Sequence, residues 1–378
     1  MADSSTLLYI SIQTAIWELS WQYNTTLMKK FFILVLTLCL FAGSAIAQSS
    51  MLATLSHEGE ISVFYGANAL KDAHTAAAHG DIISLSAGKF NPVNITKAIT
   101  LRGAGNTTNS QNNVYSTEII GSFNIDIEEG VTQSLTIEGI YTESSIKINS
   151  SLENAYFIKN RFSQFQFTNE TALCKNIYFI HCRMYKGLTA QNNSGHNSIF
   201  FINSYINSNS LGSIVNNRCN ITFKNSIIDY SNYNSNSSTF PSLDYCTFYN
   251  CILIGNGGYE YRNYITLSSS AYNCIATNIT KNSYSSDTDF FEKQTAGIKN
   301  WIIREKTNVF KSDDGFYELL DEVKSNYIGT DSTEIGIYGG LYPYSPITTG
   351  PQITKCNVAP RASADGKLSI EIEVKAGE

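Results

Sequence analysis

The chain has 378 residues, 15 % of them charged, and a formal net charge of −6. That balance leaves no dense basic surface of the kind nucleic-acid binding needs, and 43 % hydrophobic residues with 12 % aromatics exclude a wholly disordered chain. The eight cysteines stand at spacings that match no zinc motif.

In chain order, residues 1–27 carry no targeting pattern and read as an upstream extension. At Met28 the order changes to Lys29-Lys30, an apolar run from Phe31 to Phe41, and Ala45-Ile46-Ala47 before Gln48. This is the pattern of a secretory signal peptide over 28–47. The apolar run is too short for a membrane span, so the protein is expected to be exported, to the periplasm, the cell surface or the medium, with no span after cleavage.

Residues 48–105 hold a strand at Ile61–Tyr65, then Leu70, Ala73, Ala76 and Ala77 at helical spacing, stopped by Gly80. Two rung-like segments follow, Asp81-Ile82-Ile83-Ser84-Leu85 with Gly88 and Phe90, and Ile95-Thr96-Lys97-Ala98-Ile99-Thr100-Leu101 with Gly103 and Gly105. Residues 106–286 are dominated by a repeat. Phe157, Phe179, Phe201 and Phe223 recur every 22 residues, and Phe248 follows at a stretched interval. An apolar or small residue precedes each Phe by two positions: Ala155, Ile177, Ile199, Ile221 and Cys246. A small or amide residue follows by three: Asn160, Cys182, Ser204, Ser226 and Cys251, with Cys274 one coil further on.

A fixed period of this length marks a stacked repeat. Alternation before each Phe is that of a strand with one buried face. Leucine is too sparse for a leucine-rich repeat, and no 3.6-residue period supports helical repeats. The expected fold is therefore an all-β solenoid, a right-handed parallel β-helix, with an N-terminal helix cap and a C-terminal β-strand cap. Its Phe column stacks inside and its small-residue column lies at a bend. Cys182, Cys251 and Cys274 in that column read as small apolar fillers. A Cys251–Cys274 disulfide between adjacent coils stays open.

The residues stretched between Asp229 and Pro241, and between Asn256 and Tyr264, read as side loops. Residues 287–351 form a closing segment, with Tyr317-Glu318-Leu319-Leu320, then Tyr327 to Gly340 and Pro343-Tyr344. Residues 352–378 read as two strands, Gln352–Val358 and Lys367–Val374, around an Asp365-Gly366 turn. They are expected to cover the open end of the solenoid.

The helix followed by the two rungs at 81–105 resembles the N-terminal cap of pectate-lyase-like β-helix proteins. The 327–344 segment resembles the closing part of secreted β-helix proteins of Bacteroidetes-type bacteria. The resemblance implies the fold and not an activity.

Outward positions of such a coil align in ladders. Tyr156, Tyr178 and Phe200 form an aromatic one, continued by Thr222 and Thr247. Arg161 and Arg183 form a second, continued by Tyr205. Lys159, His181, Asn203, Asn225 and Asn250 form a third. Residues 154–286 carry nine Lys/Arg against four Asp/Glu, a local +5 in a chain of net −6, which suits an acidic polysaccharide or cell-surface glycan. Tyr156, Tyr178, Phe200, Lys159, Arg161, Arg183 and Tyr205 are the candidate ligand contacts.

Calcium-dependent lyases of this fold require clustered carboxylates, and hydrolases a pair of carboxylic acids. The acids of the regular coils, 170, 229, 244 and 260, share no ladder. Gly195-His196-Asn197 and Asp313-Asp314 are the nearest approaches to a hydrolase motif. Catalysis would fall to His181 between Arg161 and Arg183. The expected function is non-catalytic glycan binding or a structural surface role, with no cofactor or metal. A lyase or hydrolase on acidic polysaccharide and a surface adhesin remain open.

Overall fold

The computed structural model describes residues 51–108, 116–169, 172–190, 198–207, 220–230, 246–255, 269–278, 299–312, 315, 317–345, 352–358, 366–367 and 369–375. The stretches expected as upstream extension and signal peptide lie outside these residues. So do the loop at 256–264, most of that at 229–241, Gly195-His196-Asn197 and Asp313-Asp314.

The chain is a parallel β-solenoid, with two eleven-stranded sheets among the described residues. Each regular coil gives one strand to the first sheet and then one to the second, as Leu152–Ile158 and Arg161–Phe167 do, followed by Cys174–Ile180 and Arg183–Ala190. Leu52–His57 pairs antiparallel with both Glu60–Tyr65 and Ile82–Leu85. From Ile82–Leu85 onward the first sheet is parallel, and the second is parallel throughout.

The period sets the register directly. Phe157 pairs with Phe179, Phe179 with Phe201, Phe201 with Phe223 and Phe223 with Phe248. Their rings are fully buried and stacked at 5.0, 4.7, 5.1 and 5.0 Å. Each buried ring contributes ~2 kcal/mol by area and ~1 kcal/mol more per stacked pair. Alternation turns Tyr156 and Ile158 outward while Ala155 and Phe157 face in.

Between the sheets each coil turns through one residue in the left-handed region. Lys159, His181, Asn203, Asn225, Asn250 and Asn273 have φ of 53, 54, 46, 48, 55 and 50°. Asparagine tolerates this conformation best among residues that carry a Cβ, and it fills four of the six places.

The small residue after the turn stitches one coil to the next. Ser204 Oγ accepts from Cys182 N at 3.0 Å and donates to Ile202 O at 2.9 Å; Ser226 Oγ repeats the pattern with Ser204 N and Lys224 O. Asparagine ends the column on both sides: Asn160 Oδ1 accepts from Ile140 N, and Asn300 Oδ1 from Cys274 N. Cys174, Cys182, Cys246, Cys251 and Cys274 are buried thiols outside any disulfide, so Cys251 and Cys274 do not form the bridge left open above. Burial pushes the Cys182 thiol up to about 12, which suits an inert filler.

Near the start of the solenoid, the helix Ala69–Ala76 buries Ala69, Leu70, Ala73 and His74. Of Leu70, Ala73, Ala76 and Ala77, the four expected at helical spacing, Ala76 alone is exposed. The Lys97 ammonium donates to the carbonyls of His74, Thr75 and Ala77 at the helix C-terminus, where a cation is favoured. At the other end, Trp301–Ile303 adds a last strand to the second sheet. Gln352–Val358 and Ile370–Lys375 pair antiparallel with each other, and among the described residues with no strand of the solenoid. Among the described residues no helix is long and apolar enough to cross a membrane.

Candidate functional site

One outward column of the second sheet changes chemistry along the solenoid. Its first half is Lys89, Glu118, Tyr141, Arg161 and Arg183; its second half is Tyr205, Ile227, Ile252, Ile275 and Trp301. An outward apolar row needs a cover. The closing segment supplies it: Val309, Phe310, Tyr317, Leu319, Ile335, Ile337 and Tyr344 pack on Tyr205, Ile227, Ile252 and Ile275 as a second hydrophobic cluster.

That segment also lies along the left-handed turns. Asn203 Nδ2 donates to Ile337 O at 2.8 Å and to Gly339 O at 2.7 Å, and Asn250 Oδ1 accepts from Thr330 N at 2.7 Å. Gly336 has φ +92°, and a Cβ there would stand 2.7 Å from Ile252 Cδ1, so the backbone comes down onto the sheet only through glycine.

Several expectations are corrected here. The third ladder does not face solvent: Lys159, His181, Asn203, Asn225 and Asn250 are all buried. Tyr205 is no surface contact either. It stacks on Tyr317 at 5.0 Å, and its hydroxyl donates to the buried Asp229 carboxylate at 2.8 Å. Burial and the Asp229 charge raise the Tyr205 hydroxyl well above its ordinary range, so it stays a donor. His181 Nε2 faces Tyr342 O at 2.9 Å and therefore carries the proton. Burial lowers the ring's pKa, and its Nδ1 is buried without a hydrogen-bond partner. The ring lies beneath the closing segment and not on the outer surface.

Tyr344 is the last residue of the closing segment in this second cluster among the described residues. Arg183 Nε donates to Tyr344 Oη at 3.0 Å, and its guanidinium lies 5.2 Å from the Tyr344 ring centroid. One coil earlier, the Arg161 guanidinium is clamped between two tyrosines, 5.0 Å from the ring centroids of Tyr141 and Tyr185. Among the described residues no carboxylate forms an ion pair with Arg161, and its Nε is buried with no hydrogen-bond partner. The nearby acid Glu143 is engaged by Tyr141, whose hydroxyl donates to it at 2.6 Å. Burial and this bond push Tyr141 up to about 12. Two tyrosine rings therefore flank a guanidinium whose Nε has no hydrogen-bond partner among the described residues, beside the Arg183 of the next coil.

Tyr156, Tyr178 and Phe200 do form the expected outward stack, at 5.1 and 4.8 Å, with half-buried rings. They stand on the first sheet, whereas Arg161 and Arg183 stand on the second. The covered turn separates them, so the seven sequence candidates do not meet in one cleft. Tyr141, Tyr185 and Tyr344 were missed. Tyr141 and Tyr185 sit in or beside the arginine column, a signal available to register counting; Tyr344 arrives from the far end of the chain.

Among the described residues no group of three or more His, Cys, Asp or Glu is placed to hold a metal ion. Comparison with known protein families, with curated proteins and with solved structures returns no match.

Proposed function

We propose that this solenoid is an exported protein that binds an acidic polysaccharide without cleaving it. The observation that carries the reading is the Arg161 guanidinium, 5.0 Å from the ring centroids of both Tyr141 and Tyr185 and without an ion-pair partner among the described residues. Such a fork suits a planar carboxylate or a sulfate ester, to which arginine donates two parallel hydrogen bonds. Arg183 in the adjacent coil adds a second positive charge, and the tyrosine faces suit the apolar face of a sugar ring. The signal-peptide pattern at 28–47 supports export. The burial of His181 supports binding over cleavage.

The test is titration calorimetry with polygalacturonate, a sulfated glycan and neutral dextran at low and high salt. Binding of the acidic ligands is expected to weaken with salt. Arg161→Ala is expected to weaken them about tenfold or more, the loss of a charge-assisted hydrogen-bonded pair. Tyr178→Ala, on the other sheet, is expected to leave the site unchanged. Unsaturated or reducing ends released by purified protein, and abolished by Arg161→Ala, would establish a lyase or hydrolase instead. Equal binding by parent and Arg161→Ala would refute the site.

A further inference from the structure

The first sheet begins on an edge strand. Glu60–Tyr65 pairs with Leu52–His57 on one side and, among the described residues, with no strand on the other. Natural sheets blunt such an edge with inward charges, lysine, proline or a bulge. None of these devices is present: the register to Leu52–His57 is unbroken, and Glu60 at the start is the strand's single charge. Ile61, Val63 and Tyr65 alternate onto one face and are 70, 43 and 68 % exposed, while Phe64 between them packs against the core. A row of unpaired backbone groups beside a row of exposed apolar side chains is a template for one more strand.

We propose that this edge joins two copies of the chain, strand Glu60–Tyr65 pairing antiparallel with itself across a two-fold axis through Val63. The strand's own sequence selects a second copy as the occupant. With Val63 on the axis, Val63 faces Val63, Ile61 faces Tyr65, and Ser62 faces Phe64. Aromatic against β-branched is a favourable cross-strand pair. Glu60 then faces Gly66, so the one charge never meets its own copy. Gly66 has open space around the position of a Cβ, which leaves room for that carboxylate. A slip of one residue would set the exposed trio against Ser62 and Phe64 of the opposite face, and would turn the second copy over. The two first sheets thereby become one continuous sheet, and the two-fold contact is isologous and closed. This inference does not rest on the glycan reading, since the edge lies on the first sheet near the chain's N-terminal coils and Arg161 lies on the second.

Six residues and three apolar side chains make a contact at the small end of specific interfaces, so dissociation at about tens of micromolar is expected. Sedimentation velocity on the full chain, from about 1 to about 200 µM, should show a monomer–dimer equilibrium. Val63→Lys and Val63→Glu each place like charges opposite one another and are expected to weaken the dimer about tenfold or more. Mixing the two variants should restore it as a heterodimer. Should either fail to fold, Tyr65→Lys mixed with Ile61→Glu, which the register sets face to face, gives the same readout. Val374→Lys, on the exposed C-terminal hairpin, should leave the equilibrium unchanged. A chain that stays monomeric throughout overturns the proposal. So does a dimer that survives both Val63 variants, or one broken by Val374→Lys instead.

Discussion

Phe200 and Phe201 are neighbours in the chain and opposites in the fold, so replacing each by alanine tests the register of the solenoid. Phe201 is fully buried between Phe179 at 4.7 Å and Phe223 at 5.1 Å. Alanine there removes a ring from a continuous stack and leaves a cavity that the coils above and below cannot close, at a cost of about 3–5 kcal/mol. Phe200 faces outward, is half-buried, and stacks on Tyr178 at 4.8 Å. Its loss costs about 1 kcal/mol, the value of one aromatic pair. With a urea slope of about 3 kcal/mol/M, the unfolding midpoint should fall by more than ~1 M for Phe201→Ala and by ~0.3 M for Phe200→Ala. Circular dichroism and tyrosine fluorescence read together would separate global from local unfolding. Phe201→Asp should yield no soluble protein, because a carboxylate inside the stack has nothing to solvate it, while Phe200→Asp should fold. Equal midpoints for the two alanine variants, or the reverse order, would refute the inward Phe column.

Three further outcomes are expected. Asn203→Ala forces a Cβ residue without a local side-chain bond into φ 46° and removes two hydrogen bonds to the closing segment; it should cost about 2–3 kcal/mol and speed hydrogen exchange over residues 328–344, with Asn203→Gly losing less. The buried His74 has its pKa lowered to about 4, by burial first and by Lys97 second, and its Nε2 accepts from Thr96 N. The unfolded chain therefore binds a proton below about 6.5 that the folded chain refuses until about 4. Its contribution to stability should be lost as pH falls through that window, and the fall should shrink in His74→Gln, measured by urea unfolding at each pH. Cys182, Cys251 and Cys274 should resist iodoacetamide in the folded protein and react after unfolding, as read by peptide mass mapping; Cys182 is buried with a thiol pushed up to about 12. Labelling of any of the three in the native state would remove them from the core column.

The repeat was legible because everything that defines a coil is local. A strand's period of two and a step of 22 residues suffice to predict which side chains face in and which stack, and Phe157, Phe179, Phe201 and Phe223 stand where counting places them. The small-residue column followed for the same reason. The turn was harder: Asn203, Asn225 and Asn250 carried the signal of a left-handed residue, yet counting alone read them as an outward ladder. What covers the outer face was decided by tertiary structure. Asn203 meets Ile337 across 134 residues of sequence and His181 meets Tyr342 across 161, and no periodicity links such partners. The outward apolar row Tyr205, Ile227, Ile252, Ile275 and Trp301, which the sequence reading did not pick out, needs a cover because exposed apolar rows are unfavourable in water. Which segment would provide it depended on where a distant piece of chain could bury its own Phe310, Leu319 and Ile337.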